Sequence, residues 1–306
     1  MLLLLGLLAC TGDKGTTDTG TPESRPDDSS PGDSTPDDSV PGDSDPVDTG
    51  PMAVLTRAEG FSTPEGVRCE DGLCYVSNIS GAPDAHDGDG SIATVSTDDQ
   101  VVSLDVFPDV SLDAPKGMAV WEGVLYVTDI DRIVAIPLDG AASSDSGVVD
   151  GAVFLNDVAA GEDGTLYISD SSGDAIYTWD RSGAVALLTS EITAPNGLTI
   201  YDGSLYALAS GKGQLCQISL AGVVGTCWDL PNSQLDGVEV DADGQFYVTS
   251  WRAKAVYQGT PGGDWTAVAS DLTSPADLGL DRARGRLYVP LFNLDSVVVL
   301  ERATGG

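Results

Sequence analysis

From Pro51 onward, short runs rich in Val, Ile, Leu and Tyr alternate with turns built on Gly and Asp, and no stretch sustains a helical period. One step recurs: Leu, Cys or Phe, then Tyr, then a further mostly apolar residue. Its tyrosines are Tyr75, Tyr126, Tyr167, Tyr206, Tyr247 and Tyr288, at intervals of 51, 41, 39, 41 and 41 residues. Before each Tyr stands a Gly-containing pair: Asp71-Gly72, Glu122-Gly123, Asp163-Gly164, Asp202-Gly203, Asp243-Gly244 and Arg284-Gly285. Such pairs between apolar runs predict hairpins, because Gly tolerates the positive φ that tight turns require. A repeat near 41 residues holding four strands is a propeller blade. The expected fold is therefore all-β, a six-bladed β-propeller over residues 51–306. An Asp/Gly-rich insertion, Gly81–Gly90, lengthens the first interval.

The two ends of this array complement each other. The last copy reaches Gly306 without a fourth strand, while Ala53-Val54-Leu55-Thr56-Arg57 precedes the first copy and has the outer-strand pattern. Residues 53–57 are expected to complete the last blade, which removes two exposed sheet edges.

The pattern differs upstream. Residues 1–10, MLLLLGLLAC, form an apolar run too short to span a bilayer and read as a secretory signal. Leu7-Leu8-Ala9-Cys10 resembles a bacterial lipobox, which makes Cys10 the lipidated residue. Residues 11–50 are an acidic Pro/Asp/Ser linker with a five-residue period from Pro26, and 11 acidic against 2 basic residues. It lacks the apolar side chains that offset chain ordering, so a disordered, extended tether is expected. The localisation implied is export to a bacterial cell envelope, with membrane contact only through a lipid anchor.

Charge narrows the function. The 306 residues carry a formal net charge of −34 with 14 Lys+Arg and one His. Nucleic acid is excluded as a partner, since phosphates need clustered cations. His86 alone cannot build a His-rich zinc site. Cys69 and Cys74 are equidistant from the Asp71-Gly72 turn, and Cys216 and Cys227 from Ala221-Gly222. Cross-strand neighbours approach closely enough for disulfides, so Cys69–Cys74 and Cys216–Cys227 are expected, in an oxidising compartment.

Candidate chemistry lies just before each inner strand. There stand Pro64-Glu65-Gly66, Pro115-Lys116-Gly117, Leu155-Asn156-Asp157, Pro195-Asn196-Gly197, Leu235-Asp236-Gly237 and Pro275-Ala276-Asp277. Each middle residue precedes its Tyr by 10 to 12 residues. Equivalent positions in a propeller circle the central channel, so Glu65, Lys116, Asn156, Asn196 and Asp236 should meet at one mouth. Two carboxylates and two amide oxygens suit a hard divalent cation such as Ca²⁺.

The propeller repeat, with FLND at 154–157, APNGL at 194–198 and LDGVEVDADG at 235–244, resembles the senescence marker protein/gluconolactonase (regucalcin-like) family. The resemblance implies a divalent metal held by Glu65, Asn196 and Asp236, with Asn156 on the substrate side and Asp236 as catalytic base. It also implies hydrolysis of a lactone or related ester, polarised by that metal. Phe154 stands where family members commonly carry a basic residue, and Lys116 is a cation in or beside the ring, assigned here to substrate binding. The alternative is a non-catalytic propeller, similar to NHL-repeat domains, binding a protein or glycan. A monomer is expected in either case.

Overall fold

A computed structural model describes residues 50–96, 101–141, 144–180 and 182–302. The expected signal segment, Cys10 and the linker up to residue 49 lie outside the described residues. Six four-stranded antiparallel sheets form the blades of a β-propeller. From the inside outward, blade 1 has Pro64–Glu70, Leu73–Asn78, Ser91–Ser96 and Val101–Ser103, with the Gly81–Gly90 insertion between its second and third strands. Blade 2 has Pro115–Trp121, Val124–Asp129, Arg132–Pro137 and Ser144–Val148. Blade 3 has Leu155–Ala160, Leu166–Asp170, Ala175–Trp179 and Val185–Thr189. Blade 4 has Pro195–Tyr201, Ser204–Ala209, Gln214–Ser219 and Val224–Asp229. Blade 5 has Leu235–Val240, Phe246–Ser250, Ala255–Gly259 and Trp265–Ala269. Blade 6 has Gly279–Asp281, Arg286–Leu291 and Ser296–Arg302, and its outer strand is Met52–Glu59 from the other end of the array. Met52 pairs with Arg302 and Glu59 with Ser296. Among the described residues no helix is long and apolar enough to cross a membrane.

The recurring Tyr explains the seams. Each sits on a second strand and packs onto the neighbouring blade: Tyr167 with Leu198 and Leu205, Tyr206 with Leu235 and Phe246, Tyr247 with Leu278 and Leu287. Tyr288 is fully buried against Val67 and Val76, so it seals blade 6 onto blade 1. An aromatic side chain suits this place because it buries a large apolar face between two sheets.

A local irregularity aims the inner residues. In blades 1 to 5 the register between the first two strands shifts within the motif, between Pro64 and Val67, Pro115 and Met118, Leu155 and Val158, Pro195 and Leu198, and Leu235 and Val238. Such a bulge leaves residues unpaired and re-aims their side chains. A hydroxyl two residues after the Tyr takes up freed backbone groups. Gly66, Asp157 and Gly237 N–H donate to Ser77 Oγ at 2.8 Å, Ser169 Oγ at 2.9 Å and Thr249 Oγ1 at 2.8 Å. Thr128 Oγ1 donates onward to Asn156 O at 2.6 Å, tying blade 2 to blade 3. The residue before the motif is left-handed at Thr63, Ala194, Gln234 and Ser274, with φ of 52°, 45°, 55° and 51°. For non-glycine residues this costs on the order of 1–2 kcal/mol each, tolerated where the chain enters a new blade.

Both disulfides join residues directly paired across a hairpin, Cys69 with Cys74 and Cys216 with Cys227.

Candidate functional site

The bulges carry Glu65, Lys116, Asn156, Asn196 and Asp236 at equivalent places around one end of the channel, and Ala276 fills the sixth place. Glu65, Lys116, Asn156 and Asp236 are buried. Eight buried side-chain nitrogen or oxygen atoms have no hydrogen-bond partner among the described residues, and four of them are here: Glu65 Oε2, Asn156 Oδ1, Asn196 Oδ1 and Asp236 Oδ1. Each would cost about 1–3 kcal/mol left unsatisfied. All four are acceptors, so what answers them must be positive or a donor. No three His, Cys, Asp or Glu side chains gather to hold a metal ion among the described residues, so a cation here relies on the two amides as well as the two carboxylates.

Electrostatics place the acids in one field. Burial pushes the Glu65 carboxyl well above the usual range, and the nearby Asp236 pushes the same way while Lys116 opposes. Burial raises Asp236 to about 6, against hydrogen bonds from Trp251 and Asn196. Trp251 Nε1 donates to Asp236 Oδ2, which leaves Oδ1 open toward the ring.

Lys116 turns to the wall between blades 2 and 3. Its Nζ donates to Ala114 O at 2.9 Å and lies 4.3 Å from the Phe154 ring centroid. Both partners are themselves fixed: Ala114 N–H donates to Asp129 Oδ1 at 2.7 Å, and Phe154 N–H to Asp170 Oδ1 at 2.9 Å. Burial lowers the lysine's pKa, and the negative charge of Glu65 works against that.

Two further carboxylates escaped the sequence reading. Blades 1, 2, 4 and 5 have Gly as the third residue of the motif, whereas the opposed blades 3 and 6 have Asp157 and Asp277. The glycines make room for them. A Cβ on Gly117 would meet Asp157 Oδ1 at 2.2 Å, and one on Gly237 would meet Asp277 Oδ1 at 2.3 Å. Asp157 accepts the Val158 N–H at 2.7 Å and, from blade 4, the Leu198 N–H at 2.6 Å. Burial still raises it to about 7. Asp277 is raised by burial and by Asp157. The departure from Pro-X-Gly in these two blades is the signal that could have found them.

Both acids line a channel cavity of about 160 Å³ that runs away from the ring to Arg68, Glu239 and Arg282. There Arg282 Nη2 lies 2.7 Å from Glu239 Oε2 and Arg68 Nη1 lies 3.5 Å from Glu239 Oε1. The insertion is held at the ring end, where His86 Nδ1 lies 3.2 Å from Asp113 Oδ2 and Gly88 N–H donates to Asp113 Oδ1 at 3.0 Å.

No protein-family model matches the chain, and no curated protein matches it by sequence. Many solved structures share its fold. One is a provisionally named gluconolactonase, at 18% identity and a TM-score of 0.64, covering 83% of this chain and 92% of that one. Another is a streptogramin B lyase, at 14% identity and a TM-score of 0.61, covering 82% and 97%. A third is virginiamycin B lyase from Staphylococcus aureus, at 15% identity and a TM-score of 0.58, covering 80% and 98%. At this identity the likeness establishes the fold, a six-bladed β-propeller that enzymes of more than one chemistry use.

Proposed function

We propose that the chain is a metal-dependent hydrolase of lactones or related esters, with a Ca²⁺-type ion held at the ring by Glu65, Asn196 and Asp236. The observation that supports this reading is the set of four buried acceptor oxygens without a donor, one from the same motif position in each of four blades. Hard oxygen donors of mixed charge and irregular geometry match calcium better than zinc. The resemblance read from the motifs points the same way.

A cation bound there would polarise the ester carbonyl and stabilise the charge that develops on its oxygen. The protein's own groups do the rest. Trp251 fixes the Asp236 carboxylate through Oδ2, so that Oδ1 is the atom placed to take a proton from water and return it to the leaving oxygen. Asn156 orients substrate through its amide. Lys116 sits beside Glu65 and supplies a positive charge at the substrate's edge.

Calcium titration by calorimetry alongside turnover of a panel of lactones tests the reading. Ca²⁺-dependent hydrolysis, with both binding and turnover lost in Asp236→Ala, is the expected result. A folded chain that neither binds calcium nor cleaves any lactone overturns it and leaves the binding propeller. The two disulfides suit an oxidising compartment, which supports export. Lipid anchoring through Cys10 in the cell envelope is part of the same proposal, and loss of membrane-fraction protein in Cys10→Ser is its test.

A further inference from the structure

The position four residues after each recurring Tyr forms a second tier at the ring end of the channel: Ile79, Ile130, Ser171, Ser210, Trp251 and Phe292 in blades 1 to 6. The tier is lopsided. Trp251 and Phe292 pack with ring centroids 5.3 Å apart, and Phe292 also covers a buried cluster of Ile79, Ala114 and Ile130. Ile130 is held in the left-handed region at φ 58°, an unfavourable place for a β-branched residue, so the apolar wall is built at a cost in backbone strain. Phe154 adds a third ring above Lys116. Trp251, Phe292 and Phe154 all keep part of their surface exposed, while the aliphatic side chains behind Phe292 do not.

Three donors at this wall are already committed. The Trp251 N–H is committed to Asp236, the Lys116 ammonium to Ala114 O and the Phe154 face, and the Ser171 hydroxyl to Pro195 O at 2.6 Å. The ring below holds four acceptor oxygens without a partner. Hydroxyl groups of a polyhydroxylated ligand laid against these ring faces would lose water without gaining a partner there, at a cost comparable to lost hydrogen bonds. An apolar or aromatic body would instead cover the exposed part of each ring at no such cost.

We infer that the ligand is a lactone or ester with an apolar, preferably aromatic, body lying against Trp251, Phe292 and Phe154, and that these residues select against sugar lactones. The inference rests on the hydrolase reading for the ester group, while the body is chosen by the wall. It places specificity in the tier above the ring, apart from the residues that would hold the metal.

Three δ-lactones separate the possibilities: unsubstituted δ-valerolactone, a phenyl-substituted δ-valerolactone and glucono-1,5-lactone share the ester ring and differ in what surrounds it. With the full chain in calcium, calorimetric affinity is measured separately from turnover. The phenyl lactone is expected to bind at least about tenfold more tightly than the gluconolactone, within the range one apolar contact group supplies. Phe292→Leu, which keeps the Ile79–Ile130 cluster covered, should reduce that preference, and Phe292→Ser should abolish it. Equal affinity for the two, a preference for gluconolactone, or a preference unmoved in both variants overturns the inference. Tight binding of the phenyl lactone with no hydrolysis of any of the three overturns the hydrolase reading and leaves the aromatic wall standing.

Discussion

The two ends of the channel are built from the same acidic residue types and are opposites. At one end Glu239 takes Arg282 at 2.7 Å and Arg68 at 3.5 Å, so each charge has a counter-charge. At the other end Glu65, Asp236, Asn156 and Asn196 each hold one buried acceptor oxygen without a partner. Acids with donors beside them are scaffold. Acids left with one buried oxygen unanswered are open to a ligand. With 48 acidic residues in the chain, it is the presence or absence of partners that separates these roles, more than the charge itself.

The comparison makes opposite predictions for similar substitutions. The largest effect should fall on turnover. Asp236→Asn keeps the shape and removes the base, and kcat for any lactone cleaved should drop by about 10²–10⁴-fold, measured in saturating calcium. Next comes stability against pH. Asp236 near 6 and Asp157 near 7, with Glu65 and Asp277 also raised, lie above their unfolded values. The metal-free folded state therefore binds more protons than the unfolded chain between about pH 4 and 7. Its stability from these groups is complete below about pH 4 and is lost as pH rises through 6 to 7. Melting temperature of the metal-free protein should fall across that window. Calcium at about a hundred times its Kd should return about 2.7 kcal/mol. In Glu65→Gln the fall should be shallower and calcium should return little.

At the paired end the sign reverses. Glu239→Gln leaves two partly exposed guanidinium groups short of a partner, and should cost about 1–2 kcal/mol in urea denaturation with calcium affinity unchanged. A loss of calcium affinity there would break the distinction between the two ends. The smallest effect belongs to Trp251→Phe. Removing the N–H that holds Asp236 should move the acidic limb of the rate profile upward, with about a tenfold loss of rate at neutral pH.

Much of this was legible in the chain. The six-bladed propeller followed from the Tyr spacing, because each Tyr fills a seam and the seams repeat. Residues 53–57 were legible as the missing quarter of blade 6, since an open sheet edge needs a partner, and the strand extends past them to Met52–Glu59. The middle residues of the motifs stood out because one bulge geometry repeats in five blades. What escaped were the groups defined by contact between blades. Asp157 and Asp277 occupy space that the preceding blade's glycines leave free, a relation between positions about 40 residues apart that spacing alone does not display. The partnering of Lys116 with Phe154 depends on Asp170 holding the loop before blade 3, again a contact between distant positions.

The pairing of Met52–Glu59 with Ser296–Arg302 has a mechanical consequence. Tension transmitted along the chain from before Met52 enters at the outermost strand of blade 6, at the Met52–Arg302 pair. The strand that completes the ring is thus also its force-bearing element. Pulling there would strip one edge strand and expose the edge of blade 6 well before it disturbed the ring of side chains at the channel mouth.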